Sequence, residues 1–224
     1  EHPRNLLEAM IVAADQPGSG LDNRHVAGNV LTMLLAGEDT TANTLAWMIH
    51  LLQRHPQALQ RVQQEVRTLA SDPAAYGFDQ MEQLVYLEAC ASETMRLKPV
   101  APFIALQALR DTVVGDIAVP RGTQIWGVLR HDSVGERLFE RPQAFEPERW
   151  LEASTPLSSA AKRAAMPFGC GPRMCPGRYL ALLEMKMAMA MLLSSFDIAA
   201  VDTPDGQPAA ERMAFTMNPV GLTL

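Results

Sequence analysis

Apolar residues in the first hundred positions recur at helical spacing. Leu6, Leu7, Met10 and Ile11 make a short stripe that stops at the loop signal Gln16-Pro17-Gly18-Ser19-Gly20. Asp22 is placed to cap a long helix, because Val26, Val30, Met33, Leu34, Leu45, Met48 and Leu52 keep the spacing until His55-Pro56 stops it. At roughly 1.5 Å per residue that helix exceeds about 40 Å. Pro56 suits the first position of a further helix running to about Leu69. After a loop signalled by Asp72, Pro73 and Gly77, Met81 to Leu97 reads as one helix ended by Pro99. From Phe103 to Leu129 the pattern changes to short strands with turns at Gly115-Asp116 and Pro120-Arg121-Gly122. Leu138 to Met166, with Pro142, Pro147 and Pro156, is expected to be mostly irregular. A last long helix, about Gly177 to Ser195, carries Leu180, Leu183, Met187, Met191 and Leu192, and the tail from Phe196 reads as strands and turns. The pattern predicts a mainly α fold with small β-sheets, one domain or part of one, with no repeat period.

Composition narrows the classes. With 48% hydrophobic and 20% charged residues among 224, the chain is an ordinary globular one and not a disordered one. A net charge of -6 leaves no basic field to hold nucleic acid. Three cysteines, Cys90, Cys170 and Cys175, are too few for a disulfide framework and point to a reducing compartment or to a thiol with another job. No apolar stretch approaches the roughly 20 residues of a membrane span. A cytoplasmic chain is expected; the opening Glu1-His2-Pro3-Arg4 lacks an initiator Met, so a membrane anchor could lie upstream.

The densest chemistry lies in Phe168-Gly169-Cys170-Gly171-Pro172-Arg173-Met174-Cys175-Pro176-Gly177, directly before the last helix. Its glycines and prolines make a stiff, tight loop whose backbone can approach another group closely. Cys175 sits where a helix begins, and the free N–H groups and positive dipole end there stabilise a thiolate, a good ligand for a soft or intermediate metal. Taken alone, the residues also fit a small buried hydrophobe at Cys175 or a disulfide to Cys170. Zinc lacks a second cysteine pair or a nearby His.

The full spelling F-x-x-G-x-R-x-C-x-G, filled by Phe168, Gly171, Arg173, Cys175 and Gly177, resembles the haem-binding signature of the cytochrome P450 family, the haem-thiolate monooxygenases. Three more segments resemble the family in the same order. Ala36-Gly37-Glu38-Asp39-Thr40-Thr41 is similar to its oxygen-activation motif, Glu93-Thr94-Met95-Arg96 to its E-x-x-R, and Phe145-Glu146-Pro147-Glu148-Arg149-Trp150 to its P-E-R-F/W segment. The resemblance is to bacterial-type members and spans residues 1–224 as the C-terminal portion of a single haem domain, without the family's N-terminal half.

That resemblance implies roles residue by residue. Cys175 would be the iron ligand of haem b, with Phe168, Gly171 and Gly177 shaping its loop, and Arg173 and His131 would meet haem propionates. Gly37 would leave room beside the helix backbone, and Asp39 and Thr40, with Glu38 as a further relay member, would pass the protons that splitting dioxygen consumes. Glu93 and Arg96, three apart on one helix, would by default form a surface ion pair; the resemblance instead implies a buried network with Arg149 that locks the segment Leu138 to Met166. Val100, Ala101, Phe103, Ile104, Phe215 and Thr216 fall in segments that line the family's pocket for a small apolar substrate, core packing being the alternative. Electrons would come from NAD(P)H through a separate partner, a ferredoxin with its reductase or a flavoprotein reductase. The window Ala160 to Lys186, with Lys162, Arg163, Arg173, Arg178 and Lys186 against Glu184, offers a basic face for such a partner. The competing expectation is a truncated or degenerate, non-catalytic protein that binds haem or partners.

Overall fold

The computed structural model describes residues 3–69, 76–151, 159–207 and 209–223, so the loop signals at Asp72, Pro73 and Pro156 lie outside the described residues. Packing divides the chain into two units, Glu1–Thr40 and Thr41–Leu224.

In the first unit, α1 (Leu6–Ala14) is capped by Asn5, whose side chain accepts the N–H of Glu8 at 2.9 Å. Helix α2 (Asn23–Arg54) starts where Asp22 Oδ1 accepts the N–H groups of Arg24 and His25 at 2.9 and 3.0 Å. Within this unit Leu7, Ile11, Val26 and Val30 line an open, largely apolar groove of about 460 Å³.

The second unit is built on the other half of α2. Met48 and Leu52 are fully buried against Val62 and Val66 of α3 (Pro56–Leu69), Leu87 and Cys90 of α5 (Val85–Leu97), and Met185, Met189 and Leu193 of α8 (Arg178–Ser195). Each such side chain contributes roughly 1.5–3 kcal/mol by leaving water. Arg67 of α3 holds the end of α8, its Nε donating to Leu193 O at 3.1 Å and its Nη2 to Asp197 Oδ1 at 2.7 Å.

The single helix expected from Met81 to Leu97 is broken. α4 (Phe78–Gln83) ends at Leu84, which is fully buried with φ −77° and ψ 65°, and α5 starts afresh at Val85. The reason is tertiary: Glu65 of α3 caps α5, its carboxylate accepting the N–H groups of Tyr86 and Leu87 at 2.7 and 2.9 Å. A carboxylate there satisfies two free donors and meets the positive end of the helix dipole.

Beyond α5 the strands pair into three antiparallel two-stranded sheets: β1 (Phe103–Gln107) with β4 (Gln124–Val128), β2 (Thr112–Val114) with β3 (Ile117–Val119), and β5 (Ala210–Met213) with β6 (Met217–Val220). Val114 faces Ile117 across the two-residue turn Gly115-Asp116, where Gly115 takes φ +62°. Strand character ends at Val128, one residue earlier than expected, because α6 (Leu129–Ser133) begins there. The stretch expected to be mostly irregular holds a 3-10 helix, Pro147–Trp150, and α7 (Ser159–Ala165). Three-residue spacing alone is weak evidence in so short an alanine-rich segment; burial decides, with Ala161 and Ala165 packed on Phe139.

Candidate functional site

The cysteine loop is closed by its own backbone. Cys175 N–H donates to Phe168 O at 2.9 Å, Gly169 N–H to Met166 O at 3.0 Å and Met174 N–H to Gly171 O at 3.1 Å. Gly169 and Gly171 adopt φ +69° and +65°, a region other residues enter at a cost, so both turns require glycine. Phe168 packs on the core and anchors one end of the loop; Gly177, the N-cap of α8, anchors the other. Cys175 is half-buried and Cys170 exposed, both as free thiols. A Cβ on Gly177 would lie 3.9 Å from Cys175 Sγ, so the cap glycine lies against the thiol.

The same unit holds a charged network with no exposure at Glu93 or Arg96. Glu93 Oε1 accepts from Arg96 Nη2 at 2.7 Å, Arg149 Nε at 2.9 Å and the N–H of Glu146 at 3.0 Å, while Oε2 accepts from Arg96 Nε and from Trp150 Nε1, each at 2.8 Å. Arg96 also donates to the carbonyls of Ser133, Pro142 and Ala144 at 2.7 to 3.0 Å. These bonds hold backbone from α6 to the 3-10 helix onto α5. The surface ion pair is thereby replaced by a buried network, and sequence reasoning missed five members, Ser133, Pro142, Ala144, Glu146 and Trp150. Trp150 stood inside a quoted motif, but nothing local shows that its indole N–H finds Glu93.

On α2, Gly37, Glu38 and Asp39 are exposed, and a Cβ on Gly37 would meet nothing within 4 Å. Thr40 Oγ1 donates to Ala36 O at 2.8 Å. In the other unit, the tail and the segment after α5 come together: Met217 N–H donates to Val100 O at 2.8 Å. Thr216 is buried, whereas Phe215, Phe103 and Ala101 are exposed and Val100 and Ile104 half-buried. The His131 ring is exposed, with Nδ1 3.1 Å from Asp132 Oδ1.

The basic window is smaller than its sequence suggests. Lys186 is buried and bonds Glu88 of α5 at 2.6 Å, so it does not belong to an exposed face. Arg178 lies over the Tyr179 ring at 4.4 Å and donates to its hydroxyl. Lys162, Arg163 and Arg173 are exposed.

Comparison with known proteins decides the family: the cytochrome P450 family model matches residues 1–224. The chain belongs to the cytochrome P450 family. Among curated relatives, the rat mitochondrial 1,25-dihydroxyvitamin D(3) 24-hydroxylase is 36% identical over 182 residues, 81% of this chain and 35% of that protein. The cat steroid 17-alpha-hydroxylase/17,20 lyase is 34% identical over 218 residues, 91% of this chain and 42% of that protein. The crystal structure of a cytochrome P450, CYP102L1, superposes with a TM-score of 0.81 at 29% identity, over 96% of this chain and 48% of that one. The chain thus spans 35 to 42% of the length of these curated relatives.

The cytochrome P450 family implies haem, and the residues present fit it. A half-buried thiol stands on a backbone-closed loop, a Cβ on Gly171 beside it would meet nothing within 4 Å, and Arg173 is an exposed guanidinium in the same loop. Among the described residues, no three His, Cys, Asp or Glu side chains gather into a metal cluster of their own. Among the described residues, no helix is long and apolar enough to cross a membrane.

A second cluster of this cytochrome P450 surrounds a buried histidine. His50 is 9% exposed, stacks edge-on with Trp47 at 5.8 Å between centroids, and has a buried Nδ1 without a partner among the described residues. Lys98 Nζ lies 4.6 Å over the Trp47 ring and, with Arg130, binds Glu211. Burial first, then the charges of Arg54 and Lys98, push the His50 pKa below its ordinary 6.5. Unfolding restores the ordinary value, so below it the unfolded chain binds the extra proton. The His50 contribution to stability should therefore be full above pH 6.5 and be lost as the pH drops toward the lowered folded value. Melting temperatures measured between about pH 8 and 5 should show that slope, and His50→Gln should flatten it.

Proposed function

We propose that the protein acts as a haem-thiolate monooxygenase on a small apolar substrate. The observation that carries this reading is the single half-buried thiol, Cys175, held on a rigid, glycine-turned loop in a chain of the cytochrome P450 family. When bound, haem b supplies the iron at which dioxygen is reduced by two electrons and split, one atom entering a C–H bond and the other leaving as water with two protons. The electrons come from NAD(P)H through a separate ferredoxin or flavoprotein partner. The names of the rat and cat relatives, a vitamin D hydroxylase and a steroid hydroxylase, support an apolar substrate.

Each residue then has a task. Cys175 would hold the iron and supply thiolate charge to it, and Phe168 would shield the sulfur from water. Arg173 and His131 pair with propionate carboxylates. Gly37 leaves space beside α2. Asp39, with Glu38 in support, takes protons from solvent through its exposed carboxylate, and Thr40 hands them on from a hydroxyl that releases its bond to Ala36 O.

The test is the carbon monoxide difference spectrum of the reduced, haem-loaded protein, followed by turnover under isotopically labelled dioxygen. A strongly red-shifted Soret band and label in the product are expected. Haem binding without that band would support the non-catalytic alternative and sink this one. Proton delivery is checked separately: Asp39→Asn should slow turnover by about 10²-fold, at the low end of general acid–base effects, with a larger solvent isotope effect and an unchanged carbon monoxide band.

A further inference from the structure

The loop between β5 and β6 is Ala214-Phe215-Thr216, closed by the Ala214 N–H bond to Thr216 O at 3.0 Å. Phe215, at its apex, is 66% exposed. A two-stranded hairpin is marginal on its own in water, so its tip stands where its ties put it. There are two described ties at this end. One is the Met217 N–H bond to Val100 O at 2.8 Å. The other is a side chain of α2: Asn43 Nδ2 donates to Thr216 Oγ1 at 2.9 Å, across 173 residues of sequence.

Asn43 is otherwise out of place. Asn is a poor helix former, yet it stands well inside α2, half-buried, three positions after Thr40. Its recipient is 4% exposed, so the Thr216 hydroxyl has little water to turn to when Asn43 is removed.

We propose that Asn43 is a positioning residue: by clasping Thr216 it fixes the Phe215 ring as a wall of the substrate cavity. This rests on the monooxygenase reading above, in which Phe215 and the Val100 segment face the substrate. Asn43 does not touch the substrate; it acts through the loop. Its loss lets the tip move, so ligands large enough to reach the ring lose a contact while small ones lose nothing.

The experiment uses the haem-loaded full chain and two probes, imidazole and 4-phenylimidazole, with affinities read from the Soret shift. Imidazole affinity should stay within about twofold in Asn43→Ala and Phe215→Ala. The preference for 4-phenylimidazole over imidazole should fall about tenfold in each, a loss of one good ring contact. The double variant should be no worse than Phe215→Ala, because the two residues act in series. Thr216→Ser keeps the accepting hydroxyl and should keep the preference; Thr216→Val should lose it. An unchanged preference in Asn43→Ala, or an equal loss for both probes, overturns the proposal. A protein with no Soret response to imidazole would fail the haem reading itself. The clasp is then decided by amide hydrogen exchange at residues 214–217, which should speed up in Asn43→Ala while α5 stays protected; unchanged exchange overturns it.

Discussion

Cys175→Ser should abolish the red-shifted carbon monoxide band of the reduced, haem-loaded protein, while Cys170→Ser leaves it intact. The two thiols share one loop and differ in setting. Cys170 is exposed, whereas Cys175 is half-buried, with its N–H tied to Phe168 O at 2.9 Å and the cap glycine of α8 beside its sulfur. Serine keeps the size and loses the soft sulfur donor, which a hard, weakly donating alcohol oxygen does not replace at iron. Haem affinity should drop by more than the 10–100-fold that outer-shell partners of a metal typically carry, because a direct ligand is lost. Titration of haem into each variant, with the spectrum recorded on the reduced carbon monoxide form, reads both effects. A band that survives Cys175→Ser, or disappears in Cys170→Ser, would reassign the ligand.

The second large effect is on stability. Glu93→Gln should cost about 3 to 5 kcal/mol, because it leaves the Arg96 and Arg149 guanidiniums converging on a neutral amide in a site without solvent. At this chain length that corresponds to a melting point lower by roughly 6 to 20 °C. Two milder changes calibrate it. Trp150→Phe removes one donor to Glu93 Oε2 and should cost about 1–3 kcal/mol. Arg61→Ala breaks an ion pair with Glu148 whose side chains are 49% and 51% exposed, which solvent screens to about 1 kcal/mol or less, and removes the guanidinium 4.0 Å over the Tyr86 ring, for about 0.5–1 kcal/mol more. Thermal unfolding of the three variants at neutral pH should rank them in that order. Equal losses for Glu93→Gln and Arg61→Ala would show that the buried network carries no special weight.

The Glu93 network also shows what local reading can and cannot reach. Glu93 and Arg96 are one turn apart on any helix, so their pairing was legible from spacing, whereas their burial was implied only by the family resemblance. Whether a pair three residues apart meets water depends on what covers that face, and here the cover comes from the carbonyls of Ser133, Pro142 and Ala144, 37 to 48 positions beyond Arg96. Lys186 failed for the same reason in reverse. As one cation in a basic window it reads as surface, and Glu88 on a different helix takes it inside.

What the sequence determined by itself is what depends on near neighbours. The helices α2, α3 and α8 follow from apolar spacing with Asp22, Pro56 and Gly177 at their starts, the hairpin turn from Gly115-Asp116, and the cysteine loop from glycines where positive φ is needed. The spelling of that loop and of three further segments also carried the family. The tertiary structure decided what depends on partners distant in sequence: the break at Leu84, because Glu65 of α3 supplies a cap; the helix at Ser159–Ala165, because Phe139 buries its alanines; and the clasp from Asn43 to Thr216. A hydrogen bond or buried contact between distant residues has no period or motif in either segment. It exists only once the chain has closed the loop between them, and the closing is done by the core those segments share.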